Sequence, residues 1–179
     1  MMVPQQSGLI CTISSWGGMA PIFGVSYGAG KSACDRMASD MALELAPYNV
    51  TSLSVWPGIV GTEEIKAIAQ DAAEETEGMA AVFKSKYNWE SPLFVGRAIA
   101  ALACETDHLK RTGKVQIIAE LAKEFKTVDE NGFRPVSLRS LRFFIASSIP
   151  QLQPYDPLIA DLKIPWFILL LLFLRSPKI

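Results

Sequence analysis

Residues 8–31 read GLICTISSWGGMAPIFGVSYGAGK, and residues 50–62 read VTSLSVWPGIVGT. Each opens on a short apolar run, so Gly8 to Ile13 and Val50 to Val55 are predicted strands. A loop rich in Gly and Pro, Trp16 to Gly24, separates the first strand from a helical pattern over Ser26 to Leu45. Along that helix Cys34, Met37, Met41 and Leu45 recur at three- and four-residue steps, with Arg36, Asp40 and Glu44 on another face. Pro47 and Asn49 stop it, and the second strand ends at the sharp Pro57-Gly58 turn. Strand, helix, strand with short connections predicts an α/β protein, a parallel sheet covered by helices.

The pattern continues once more. Thr62 to Lys86 carries Glu63, Glu64, Asp71, Glu74, Glu75 and Glu77 as a solvated acidic face, and Gly78 divides it into two helical pieces. Ser91-Pro92 supplies an N-cap and first turn for a helix through Val95, Ala98, Ile99 and Leu102 to about Cys104. Gly113 to Ile118 is a third predicted strand. From Ala119 the alternation stops. A charged helix to Glu130 and a loop-rich stretch with Pro135, Pro150, Pro154 and Pro157 make residues 121–179 an extension. Three strands are few for this class, so the sheet reads as incomplete, as though strands preceded residue 1.

Composition excludes several functions. A chain of 179 residues is one domain's worth, and 50% apolar against 20% charged residues excludes a disordered tail. Seventeen basic against eighteen acidic residues leave no basic field for nucleic acid. Cys11, Cys34 and Cys104 are odd in number and widely spaced, neither a disulfide framework nor a zinc site, which points to a reducing, intracellular compartment. His108 is the single histidine, so multi-histidine metal sites are excluded and a Ser-His triad is disfavoured. It reads as a helix-end or solvent residue, Trp56 as packing, and Cys11 and Cys34 as small core residues. No basic leader precedes the first strand.

The tail differs. Residues 164–174 read IPWFILLLLFL, followed by Arg175 and Lys178. Eleven residues rise only about 17 Å, half a bilayer core, so a full span is not expected. Two readings remain open: a membrane-surface segment with Trp166 at the headgroups, or a helix packed on the body or on a partner subunit.

Ser14, Tyr27 and Lys31 are the constellation that can carry chemistry. Tyr27 and Lys31 are four apart and share a helix face. Ser14 follows the first strand, where α/β proteins place ligands. A phenol alone is a weak acid–base group near neutrality, and an ammonium beside it favours its phenolate. A serine hydroxyl can hold a carbonyl oxygen next to the phenol. Gly28, Ala29 and Gly30 leave room for a flat ring.

The order Ser14 in ISS, Tyr27-Gly28-Ala29-Gly30-Lys31 thirteen residues later, and then Pro57-Gly58-Ile59-Val60-Gly61-Thr62 resembles the short-chain dehydrogenase/reductase family. The resemblance covers residues 2–135 well and the tail loosely. It implies the C-terminal part of a Rossmann-type doubly wound sheet over residues 1–120. It also implies an oxidoreductase using NADP or NAD on a small carbonyl or alcohol compound, with steroid, retinoid and xenobiotic classes all open. Ser14, Tyr27 and Lys31 would be catalytic, and Tyr27, Lys31, Pro57, Gly58, Ile59 and Thr62 would hold the cofactor. Homo-oligomers and an endoplasmic-reticulum association of the tail fit the same resemblance. No metal is implied. The family's TG-x-x-x-G-x-G turn, its following acidic residue, its NNAG strand and its helical asparagine do not occur in these 179 residues. The expectation is therefore a truncated form with impaired cofactor binding. The alternative is a non-catalytic chain acting by association or at a membrane surface.

Overall fold

In the computed structural model, β1 (Gly8–Ile13), β2 (Val50–Trp56) and β5 (Val115–Ile117) form one parallel sheet in the order β1-β2-β5. The structure describes residues 1–71 and 83–173; Glu74, Glu75, Glu77, Gly78, Arg175 and Lys178 lie outside them. Gly8 pairs with Val50 and Ile13 with Val55, while Ser54 to Trp56 pair with Val115 to Ile117. A two-residue parallel ladder joins β3 (Ile59–Val60) to β4 (Trp89–Glu90). Among the described residues, α-helices with placed bounds are α1 (Met2–Gln5), α2 (Gly24–Leu45), α3 (Glu63–Asp71), α4 (Pro92–Ala103), α5 (Ile118–Glu124), α6 (Leu141–Ser148) and α7 (Trp166–Phe173).

The central strand β2 is buried along its whole length, although it carries three hydroxyls. Burial without partners would be costly, and each is satisfied. Thr51 Oγ1 meets His108 Nδ1 at 2.8 Å, Ser52 Oγ donates to the Ala38 carbonyl at 3.0 Å, and Ser54 Oγ donates to Asp35. His108 opens the short helical turn His108–Arg111, as a helix-end residue, and is tied to the sheet while half-buried. Leu53 and Val55 point away from Ser52 and Ser54, into a core with Phe94, Ala98 and Leu102 of α4 and Ile118, Leu121 and Ala122 of α5. Helices cover both faces of the sheet, as the alternation predicts.

The inward stripe of α2 differs from the expected one. Ala38 and Ala42 are its buried residues, and Met37 is half exposed. Small residues let the helix lie close enough for the Ala38 carbonyl to take the Ser52 hydroxyl. Cys11 and Cys34 are half-buried, and Trp56 packs edge-on between Trp16 and Trp166.

The extension is more ordered than its prolines suggest. The charged helix stops at Glu124 instead of Glu130, and Lys126 turns the chain in the left-handed region at φ 57°. The loop-rich stretch contains α6, capped where Ser140 Oγ accepts from Arg142 N at 3.2 Å. Pro135 and Pro150 bracket this helix rather than break it. Arg142 pairs with buried Asp156 at 2.9 Å, and Tyr87 donates to the same carboxylate at 2.9 Å. Burial pushes the Glu120 carboxyl up, but hydrogen bonds from Arg139, Lys163 and Ser137 outweigh it and hold it at about 2. Trp166 of α7 sits under the Arg139 guanidinium, 5.0 Å away, and Leu169 is buried. Trp166 therefore packs on the body, while Phe167, Leu170 and Leu171 are exposed. Among the described residues, no helix is long and apolar enough to cross a membrane.

Candidate functional site

Ser14 stands one residue past β1, where its N–H extends the ladder to the Val55 carbonyl at 2.9 Å. Its buried hydroxyl donates to the Lys31 carbonyl at 2.9 Å, and Lys31 Nζ donates to the Ile13 carbonyl at 3.2 Å. These two bonds cross-tie the strand end to α2. One turn earlier, the Tyr27 ring lies 5.6 Å from Lys31 Nζ. The ring is seated by an absence of bulk: a Cβ on Gly17 would fall 2.5 Å from Tyr27 Cε1. Phe23 closes over it edge-on at 5.0 Å and stacks on Phe83 at 5.5 Å. At Gly28 it is the chain's own loop that comes close, since a Cβ there would lie 3.3 Å from the Gly17 carbonyl oxygen, while Gly30 faces open space.

The turn after β2 is fixed from below. Gly58 N–H donates to Glu90 Oε2 at 2.9 Å, and the Gly61 N–H bonds the Glu90 carbonyl at 2.8 Å. A Cβ on Gly58 would come 2.6 Å from Glu90 Oε1, so the close approach requires glycine. Glu90 is only 2% exposed and its Oε1 has no partner. Burial pushes its carboxyl up to about 8, against the pull of the Gly58 N–H.

A cavity of about 410 Å³ opens between these pieces, within the usual size range of small-molecule sites. Ser14, Tyr27, Lys31, Pro57, Gly58, Ile59 and Thr62, the seven residues singled out in the sequence, all line it. The remaining wall is mainly apolar and includes Ile22, Phe83, Leu138, Phe143, Phe144 and also Ser147. A larger cavity of about 960 Å³ lies beside β5, around Trp56, Arg111, Lys163 and Trp166. Its Arg111 is already engaged by Glu105 and Glu124, and none of the seven residues reaches it. Chemistry rather than size therefore points to the smaller one.

Sequence reasoning missed the extension's share of this wall, and it missed Glu90. A carboxylate just ahead of Ser91-Pro92 resembles a solvent residue. Only the β3–β4 ladder, which turns it beneath Gly58, shows otherwise. The α6 residues had a legible signal in Ser140 followed by Leu141, Phe143, Phe144 and Ile145.

A parallel α/β sheet with a strand-end serine beside a helical Tyr-x-x-x-Lys pair is the arrangement of short-chain dehydrogenases. The family model for short chain dehydrogenase matches residues 1–73, and the chain belongs to the short-chain dehydrogenase/reductase family. It is 41% identical over 139 residues to dehydrogenase/reductase SDR family member 1 of Mus musculus, covering 76% of this chain and 44% of that protein. It is 36% identical over 176 residues to the protein of the same name in Homo sapiens, covering 96% and 55%. The chain thus spans about half the length of these relatives. The structure of L-sorbose reductase from Gluconobacter frateurii, complexed with NADPH and L-sorbose, aligns with TM-score 0.51 at 18% identity over 65% of this chain and 47% of that one. That likeness establishes the fold.

Proposed function

We propose that these residues form the catalytic half of an NAD(P)(H)-dependent oxidoreductase that interconverts a small carbonyl compound and its alcohol. The observation that carries this reading is the meeting of Ser14, Tyr27, Lys31 and the Pro57–Thr62 turn on one cavity. Tyr27 gives its phenolic proton to the carbonyl oxygen as the alcohol forms, and takes it back in the reverse direction. The Lys31 ammonium, beside the ring, stabilises the phenolate left behind. Ser14 orients the substrate oxygen after its hydroxyl rotates away from the Lys31 carbonyl. Bound nicotinamide supplies the hydride. Tyr27 and Lys31 would hold its ribose, and Pro57, Gly58, Ile59 and Thr62 would hold the ring's amide side. The mainly apolar opposite wall suits a hydrophobic substrate such as a steroid, retinoid or xenobiotic ketone. The division into residues 1–120, a partial dinucleotide fold, and residues 121–179, an extension that walls the site, belongs to the same reading.

No Gly-rich phosphate turn occurs within these 179 residues. The pyrophosphate therefore needs groups from elsewhere. This observation supports a second reading, in which the chain alone is non-catalytic and works by association inside the cell. The exposed Phe167, Leu170 and Leu171 support contact of the tail with a membrane surface, as at the endoplasmic reticulum, or with a second copy.

Calorimetric titration with NADPH and NADH tests the first reading. The 179-residue chain binds either more weakly than about 100 μM. The chain joined behind the dinucleotide-binding half of a family member binds one of them tightly. Tight binding by the 179 residues alone contradicts the account of the missing turn, and no binding by the joined chain contradicts the cofactor role.

A further inference from the structure

Two glycines of the turn that follows β2 press on the side chains of β4. A Cβ on Gly58 would fall 2.6 Å from Glu90 Oε1, and one on Gly61 would fall 2.9 Å from the Trp89 ring. Gly58 lines the cavity, and its N–H donates to Glu90 Oε2 at 2.9 Å. Glu90 does not line the cavity itself. Its Oε1 is buried without a partner, and the ion pairs of the described residues are all made by other carboxylates. A buried carboxylate with one donor and no cation is less stable than the neutral acid. Burial accordingly pushes the group up to about 8. The charge that bears on it is that of Asp129, which accepts from Ser91 ahead of α4 and disfavours ionisation further. Lys86 stands over the neighbouring Trp89 ring instead.

We propose that Glu90 is a positioning residue for the nicotinamide side of the site, seating the Pro57–Thr62 turn through Gly58 only while its carboxyl carries a proton. This rests on the reading of the cavity as a dinucleotide site, because the proton controls the turn's contact with nicotinamide. Neutral, the carboxyl offers Oε2 to the Gly58 N–H and lets the glycine lie against Oε1. Ionised, Oε1 needs a hydrogen-bond donor, and the packed glycine leaves no room for a water between them. The turn must lift to admit one, and the wall it gives to the cavity moves with it. Ligand binding and Glu90 protonation are therefore linked, each favouring the other.

Reduced nicotinamide mononucleotide, which carries nicotinamide and ribose without the adenosine half, is the probe. In NMR titrations of the full 179-residue chain, its affinity falls about fivefold from about pH 7 to about pH 9.5. Glu90→Gln, neutral throughout, keeps the affinity that the parent shows at the lower pH. The Gly58 amide resonance of the parent follows the carboxyl and needs no variant. Its midpoint lies at about 8 in the empty chain and rises by about 0.7 pH unit with saturating probe, the same fivefold effect read reciprocally. A carboxyl that merely supports the fold would leave that midpoint where it is. A midpoint that the probe does not move, or an equal loss of affinity in parent and Glu90→Gln, overturns the assignment and leaves the cofactor reading standing. No binding of the probe at any pH overturns the cofactor reading and this one with it.

Discussion

The two walls of the cavity are made from different kinds of chain. The polar wall comes from the end of β1, the start of α2 and the turn after β2, and backbone groups hold its residues. Ser14 is in the ladder through Val55, cross-tied to Lys31, and Tyr27 is seated against Gly17. The apolar wall combines Ile22, Ile65 and Phe83 with Leu138, Phe143 and Phe144 from α6 and the segment before it, and side-chain ties hold that last part to the body. Arg142 and Tyr87 meet on Asp156, the Asn88 amide bonds Val136, and Glu120 takes Arg139 and Lys163. Reaction chemistry tolerates little displacement, so it belongs on the rigid ladder. On the proposed function, selection among apolar substrates tolerates more, and it falls to a segment that a few ion pairs hold in place.

The largest expected effect comes from breaking the polar wall without touching a reacting group. Gly17→Val puts carbon where the Tyr27 ring stands. In the chain joined to a family dinucleotide-binding half, carbonyl reduction falls about 100-fold. Circular dichroism shows the fold retained. Turnover within about threefold of the parent would mean that Tyr27 needs no such seat.

A smaller effect separates the two regions by pH. Glu90, beneath the polar wall, has its carboxyl raised to about 8 by burial. The folded state keeps a proton that the unfolded chain has lost above about 4.5, so stability falls as pH rises from there to 8, by up to about 1.4 kcal/mol per unit. Glu120, which ties the extension, is held at about 2. Its contribution is present above about 4.5 and is lost as pH falls toward 2. Urea denaturation across pH, with Glu90→Gln and Glu120→Gln, checks both limbs. Glu90→Gln flattens the alkaline limb alone, and Glu120→Gln the acidic limb alone. A variant that flattens neither limb contradicts its assignment.

The polar wall was legible because its signals are local. A β-branched run, a Gly-rich loop, Tyr and Lys one turn apart and Pro57-Gly58 each dictate their own backbone, and the order of strands follows from short connections. The apolar wall was obscure because its cause is tertiary. Pro135 marks a loop, but Pro150, Pro154 and Pro157 lie in the 3-10 helical stretch Pro150–Leu158, and α6 forms ahead of it because Ser140 caps it and Asp156 anchors Arg142. The buried stripe of α2 was misplaced for a related reason. Periodicity identifies the large residues, Met37 and Met41, whereas close packing on the sheet selected Ala38 and Ala42. Glu90 could not be read at all from neighbours in sequence, since its environment is made by Gly58, thirty-two residues earlier.

The central claim is that Tyr27 is the proton donor to a carbonyl held at Ser14. Its most direct test is steady-state reduction of 4-phenylcyclohexanone by the joined chain, comparing the parent with Tyr27→Phe. Removing one hydroxyl leaves the ring, its seat on Gly17 and the neighbouring Lys31 in place. The account predicts a loss of about 100-fold or more in kcat, well beyond the change in cofactor affinity. A Tyr27→Phe protein that reduces the ketone within about tenfold of the parent contradicts it.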